Sequence, residues 1–258
     1  MAGRTPILDC ASEIRRFVAR REYSEAVRRF EIVASWTPSS QRSKLAAEIV
    51  RAGGRITEAA LTKAFARASC YFCRDGWMLC DQCEGAKTFA ANGRFCDACG
   101  GLGRVPCTFC GGSGLLALDA SPAVLRPKVA KRRIEWAVKL LQEVTRRVGN
   151  LRRWDVASTS LADRLRLLHS AERASEAAKE AKRVVASSRS PGGGRGQRPR
   201  ELDLAGVCRK RGQALAEALA TAIAELCLRE AQRHPAGSRR RAIWERQAEF
   251  YESGGGRS

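Results

Sequence analysis

The chain has 258 residues, with 47 Lys+Arg against 27 Asp+Glu and a formal net charge of +20. That length suits one sizeable domain or two small ones with separate cores. The charge points to acidic partners (nucleic acid, an anionic membrane face or an acidic protein) and carries no information about fold.

Residues 1–69 read as helical. Val27, Phe30, Val33 and Trp36 share roughly one face after Ser24, and Thr37-Pro38 closes the run. Ser39-Ser40 suits a cap for a second helix that buries Leu45, Ile49 and Val50 and stops at Gly53-Gly54. Thr57 opens a third, with Leu61 and Phe65 inward. Short helices so close in sequence pack as a small bundle. Asp9, Glu13, Glu22, Glu25 and Glu31, without an apolar core segment, argue against a secretory leader and against an acid-poor transit peptide. No stretch reaches the roughly 18 apolar residues that span a bilayer. The expectation is a protein of a reducing, cytoplasmic compartment.

Residues 70–114 change character. Gly, Cys and turn residues replace the helical period, and there are too few large apolar side chains to fold on a core alone. Of 11 cysteines, eight fall here: Cys70/Cys73, Cys80/Cys83, Cys96/Cys99 and Cys107/Cys110. Each CxxC knuckle presents two thiolates to one metal, and two knuckles complete a closed tetrahedral site. Eight cysteines make two such sites, so two structural zinc ions are expected. The rival reading of CxxC, a redox pair with one low-pKa thiol, fits a lone motif better than four gathered in a Gly-rich module.

Cys96-Asp-Ala-Cys99-Gly-Gly101-Leu-Gly103 and Cys107-Thr-Phe-Cys110-Gly-Gly112-Ser-Gly114 both read CxxCxGxG. The module therefore resembles the cysteine-rich domain of DnaJ-type co-chaperones. The resemblance implies that the first repeat shares a zinc with the fourth (Cys70, Cys73, Cys107, Cys110) and the second with the third (Cys80, Cys83, Cys96, Cys99). Spacing alone permits neighbouring pairs as well, first with second and third with fourth. The first two repeats depart from the pattern. Asp75 and Trp77 stand where glycines are expected, with Gly76 displaced by one, and Lys87 replaces the second glycine of the other. The spacers are short, at six, twelve and seven residues. That looks like the compact DnaJ-type zinc-finger proteins, some of which assist assembly of large complexes. It covers about 45 of the 258 residues. No His-Pro-Asp tripeptide of a J domain is present; the nearest match is His234-Pro235-Ala236.

Residues 119–186 return to helix, with a break expected near 149–158. Ile134, Ala137, Leu141, Val144, Val148 and Leu151 form one heptad seam; Leu167, Ala171, Ala174, Ala178, Ala181 and Val185 form another. Together they read as an antiparallel hairpin, or as a dimer seam. Residues 187–200 (SSRSPGGGRGQRPR) read as a disordered linker. Residues 201–252 hold an amphipathic helix with Leu204, Cys208, Leu215, Ala218, Ala222 and Leu226 on one side. A last helix follows, capped by Ser238 and carrying Ile243, Trp244 and Tyr251. Residues 253–258 read as a flexible tail. The expected fold class is mainly α: helical bundle or hairpin arms flanking a small loop-rich two-zinc module with short β-hairpins.

Charge separates two properties. Residues 70–114 hold four basic and four acidic side chains, whereas residues 1–69 carry 13 against 7 and residues 115–258 carry 30 against 16. The near-neutral module, with Tyr71, Phe72, Trp77, Phe89, Phe95 and Phe109, suits protein segments. The basic helices, with Lys131-Arg132-Arg133, Arg146-Arg147, Arg152-Arg153, Arg209-Lys210-Arg211 and Arg239-Arg240-Arg241, suit RNA or DNA phosphates. No catalytic constellation appears. His169 and His234 are read as surface or cap residues, and Cys10, Cys208 and Cys227 as buried structural thiols. The leading expectation is a non-enzymatic, zinc-binding, protein-binding or chaperone-like assembly factor. A nucleic-acid- or ribonucleoprotein-associated protein is second and a zinc-containing thiol-disulfide oxidoreductase third.

Overall fold

In the computed structural model, residues 5–35, 37–86, 96, 98–99, 103–153, 160–187 and 200–253 are described. The linker expected over 187–200 is therefore described only at its two ends. Residues 254–258 of the tail, Trp36, Phe89, Phe95 and the side chains of Leu151, Arg152 and Arg153 lie outside the described residues. The fold is mainly helical, with α1 (Thr5–Ala19), α2 (Tyr23–Ala34), α3 (Arg42–Arg67), α4 (Arg126–Arg153), α5 (Leu161–Ser187), α6 (Arg200–Gln232) and α7 (Arg239–Glu252). One two-stranded antiparallel sheet, β1 (Trp77–Leu79) with β2 (Arg104–Pro106), lies in the cysteine-rich segment.

The chain forms two compact units that are not consecutive stretches. The first takes residues 1–71, 114–136 and 177–206; the second takes 72–113, 137–176 and 207–258. In the first unit, Cys10, Ile14, Val27, Phe30, Ile49, Leu61 and Phe65 are buried, and Phe30 meets Phe65 edge to face at 5.5 Å. α3 runs past Gly53-Gly54, but Gly54 has φ 70° and ψ −171°, so two helical stretches meet at a kink. The expected stop at Gly53-Gly54 is this kink, and Thr57 lies in the first turn of the helical stretch that follows it. Thr57 is buried, and its hydroxyl donates to the carbonyl of Gly53. Ser24 lies in the first turn of α2, and its hydroxyl accepts from the amide of Ser69.

Arg133 holds the first unit together. It is fully buried, pairs with Glu180 at 2.7 Å, and donates to the carbonyls of Phe65 (3.1 Å) and Leu116 (2.6 Å). Glu180 also accepts from the amide of Leu118 at 2.7 Å. The expectation that Arg133 belongs to a phosphate-contacting surface is corrected here. A guanidinium carries five donors, enough to join three segments of chain at one buried point.

In the second unit, Val144, Leu167, Leu168, Ala171, Leu219, Ile223, Cys227 and Tyr251 form a buried cluster, with Leu140, Val148 and Trp244 packed against it. α4 runs through Gly149 to Arg153 and α5 begins at Leu161, so the two described helices lie on either side of the break expected near 149–158. On α6 the inward residues of this unit are Cys208, Ala216, Leu219, Ile223 and Cys227, and in the first unit Ala205 is buried while Leu204 is exposed. The expected face is thus rotated by about one residue, because small residues set the approach of α6 to α5. A Cβ on Gly212 would stand 3.1 Å from the Ser175 side chain and 3.2 Å from the Ala171 carbonyl. Ser238 caps α7 as expected, accepting from the amide of Arg241. Cys10, Cys208 and Cys227 are buried thiols.

Candidate metal centre

The centre is organised by the short ladder. β1 follows the first knuckle and β2 precedes the fourth, and Trp77 pairs with Pro106, Met78 with Val105 and Leu79 with Arg104. The register continues outward: Cys107 N donates to Gly76 O at 2.8 Å, and Cys80 N to Gly103 O at 3.1 Å. Farther out, Cys70 N donates to Gly114 O at 3.0 Å, and Ser69 bridges Leu115. An antiparallel ladder at this place in the sequence brings the first knuckle to the fourth and the second to the third.

The cysteines follow. Cys70, Cys73, Cys107 and Cys110 form one cluster; Cys80, Cys83, Cys96 and Cys99 form the other. In each, the four sulfurs lie within 4.8 Å of one another. A tetrahedron with Zn–S bonds of about 2.3 Å has edges of about 3.8 Å. Cys73–Cys110 measure 3.7 Å, Cys80–Cys96 3.6 Å and Cys83–Cys99 3.7 Å. Each cluster is thus positioned to hold one metal ion, and an all-thiolate tetrahedral set is consistent with two zinc ions. Pairing of neighbouring knuckles is excluded by the ladder. Seven of the eight cysteines are buried, and Cys73 is half-buried.

The turns explain how the first repeat manages without its glycines. Arg74 and Trp77 exchange two backbone hydrogen bonds of 3.0 Å across Asp75 (φ 54°) and Gly76 (φ 93°). Positive φ at both central residues is the type I′ hairpin turn, for which Asp-Gly is a favoured pair. In the second repeat, Glu84 (φ 47°) and Gly85 (φ 83°) lie between Cys83 and Ala86, joined by a 2.7 Å bond. The fourth repeat does the same with Gly111-Gly112. The first repeat therefore keeps the turn and moves it one residue along. In the third repeat, Gly103 N donates to Cys99 Sγ at 3.2 Å, an amide aimed at a ligand sulfur.

Without metal, burial raises Cys96 and pushes the Cys99 thiol up to about 12. Cys107 goes the other way: burial raises it, but hydrogen bonds from the Cys110 backbone and from neighbouring side chains outweigh that and hold it below its ordinary value. Closely packed thiols resist sharing negative charge, and a divalent ion removes the conflict by neutralising it.

Helix α5 buttresses the centre within the second unit. His169 packs on Trp77, with ring centroids 4.7 Å apart, and Arg104 lies over the same indole at 5.0 Å. Arg104 Nη2 stands 3.4 Å from His169 Nδ1. Burial, then Arg104 and Arg173, lowers the His169 pKa to about 4, so the ring is neutral. One turn on, Arg173 Nε donates to Ser113 O at 3.0 Å and its Nη1 pairs with Asp75 at 3.1 Å. One guanidinium thus braces the turns of the first and fourth repeats. His169 is therefore not a plain surface residue. Its spacing of four from Arg173 on α5 is the only trace of this role in the sequence.

Phe72 and Phe109, each third in its knuckle, stack at 4.1 Å outside the first cluster and are exposed. Leu79 is exposed too. Tyr71, by contrast, donates to Glu31 of α2. Among the described residues no helix is long and apolar enough to cross a membrane.

Comparison with protein-family models, with curated proteins and with solved structures finds no match. The resemblance to DnaJ-type domains rests on the cysteine and glycine pattern.

Proposed function

We propose that the protein is a non-enzymatic, zinc-stabilised protein-binding factor of chaperone-like or assembly type, with the DnaJ-like module as its contact surface. The observation that carries this reading is the exposed Phe72–Phe109 stack on the first cluster. Two aromatic rings in solvent offer a rigid apolar contact at little entropic cost, of the kind enriched where proteins meet. The surrounding module has no excess of basic side chains to favour phosphate.

The test is suppression of aggregation of a denatured client by the zinc-loaded full-length chain. Suppression that disappears in Phe72→Ser/Phe109→Ser, with two zinc ions per chain retained, supports the reading. Equal suppression by the variant removes it. Zinc well below two per chain by elemental analysis would refute the metal centre itself. Insulin reduction that persists with both ions bound would instead favour thiol-disulfide exchange.

A further inference from the structure

The first unit contains an open groove of about 310 Å³ between α3 and α4. Arg55, Glu58 and Thr62 line one wall; Lys128, Lys131, Arg132 and Glu135 line the other. Successive turns on each wall fall three or four apart, with Lys131 and Arg132 adjacent on one turn, so each set shares a helix face over about 10 Å of rise. Four cations against two carboxylates leave the lining at +2.

We propose that this groove binds the sugar-phosphate backbone of a nucleic acid strand. The cations are available to do so. Lys128 pairs with Glu58, Lys131 with Glu201 and Arg132 with Glu135, but the lysines and Arg132 are more than half exposed. Exposed pairs of this kind are weak and give way to a phosphate, which adds released counterions to the gain. Thr62 supplies a second, independent observation. It is nine-tenths buried, it lines the groove, and its hydroxyl has no hydrogen-bond partner among the described residues. Helical threonines ordinarily satisfy the hydroxyl on the preceding turn, as Thr57 does on Gly53. The hydroxyl oxygen is itself buried, so it would need a change of χ1 rotamer to donate to a phosphate oxygen at the groove wall.

The occupant is a strand rather than a membrane. Charge set along two walls of a recess matches a linear polymer that can enter it, whereas a bilayer surface is flat. The site also narrows the basic surface inferred from sequence. Of Lys131-Arg132-Arg133, two residues open into the groove and Arg133 is buried on the other side.

The test is a salt titration of the zinc-loaded full-length chain against a fluorescein-labelled single-stranded oligonucleotide, read by anisotropy. Binding should weaken steeply with salt. Arg55→Ala/Lys131→Ala/Arg132→Ala should lower the slope of log K against log salt by about 2, at about 0.7 for each single-strand contact. The control Lys210→Ala/Arg239→Ala/Arg240→Ala removes the same charge from exposed sites of the second unit and should keep most of the slope. Thr62→Val, which changes no charge, should weaken binding about threefold, the loss of one hydrogen bond. Equal losses in both triple variants, unchanged binding by Thr62→Val, no binding by the wild type at low salt, or capture of phosphatidylserine vesicles in place of the oligonucleotide would each overturn the proposal. Client suppression by Phe72 and Phe109 is read on different residues, so the two results separate.

Discussion

Phe72 and Phe109 occupy equivalent places in the first and fourth knuckles, and their rings stack 4.1 Å apart with planes 21° from parallel. The two phenylalanines are 60% and 56% exposed, so the stack shields little apolar surface from water. Aromatic pairing contributes about 0.5–1.5 kcal/mol beyond burial, and less where water reaches both rings. Phe72→Ala should therefore lower stability by under about 1.5 kcal/mol in a denaturant titration. The same variant should lose a large part of its client binding. A large stability loss would make the pair a structural element instead.

Arg133 and Glu180 form a pair whose guanidinium is fully buried. Replacing one member leaves the other charged and uncompensated, which costs about 3–5 kcal/mol. Arg133→Met should show a loss of that size by urea denaturation. Arg133→Met/Glu180→Gln should recover part of it, because the stranded charge is gone and the glutamine oxygen still accepts from Leu118 N. A double variant no more stable than the single would assign the cost to the carbonyls of Phe65 and Leu116.

His169 gives a pH dependence of defined sign. Its folded pKa, about 4, lies below the ordinary 6.5, so the unfolded chain takes up the proton first as pH falls. Its contribution to stability is complete above pH 6.5 and is lost progressively towards pH 4. His169→Phe keeps a ring against Trp77 and removes the titration. The stability difference between wild type and variant should drift against the wild type on acidification through that window. Proton competition for the cysteine thiolates affects both proteins and cancels in the difference. A difference independent of pH would show that the ring is not held neutral.

Two helical glycines should respond oppositely to alanine. A Cβ at Gly149 meets nothing within 4 Å, so Gly149→Ala should stabilise by about 0.5–1 kcal/mol through helix propensity. At Gly212 the same atom presses on Ser175 and the Ala171 carbonyl, and Gly212→Ala should destabilise by about 1–3 kcal/mol through overpacking. Thermal melts of the two variants on either side of the wild type would bear this out; melts on the same side would not.

The cysteines were legible from sequence because thiolate geometry is encoded by adjacent residues: CxxC fixes a knuckle and four knuckles fix two sites. Their partnering was open until the ladder of Trp77, Met78 and Leu79 with Arg104, Val105 and Pro106 decided it. Three-residue strands carry no periodic signal. The helices were legible wherever apolar spacing was strict, as over Ile134–Val144. On α6 the face was placed about one residue off, because Gly212 and alanines share the inward stripe with Leu219 and Ile223. Arg133 and Arg173 could not be separated from solvated arginines, because what distinguishes them is a set of carbonyls and carboxylates distant in sequence.

The antiparallel ladder makes the two clusters nested, with one closed inside the chain segment that closes the other. Thirty-three residues separate Cys73 from Cys107, but only twelve separate Cys83 from Cys96. Closing the longer loop first costs about 0.9 kcal/mol more chain entropy, from the logarithm of that length ratio. Once the inner knuckles are joined, the outer pair is reached by zipping two short spacers of six and seven residues along the ladder. Chain entropy therefore favours capture of the inner ion before the outer one. The outer ion, with half-buried Cys73 among its ligands, is the one a chelator meets first.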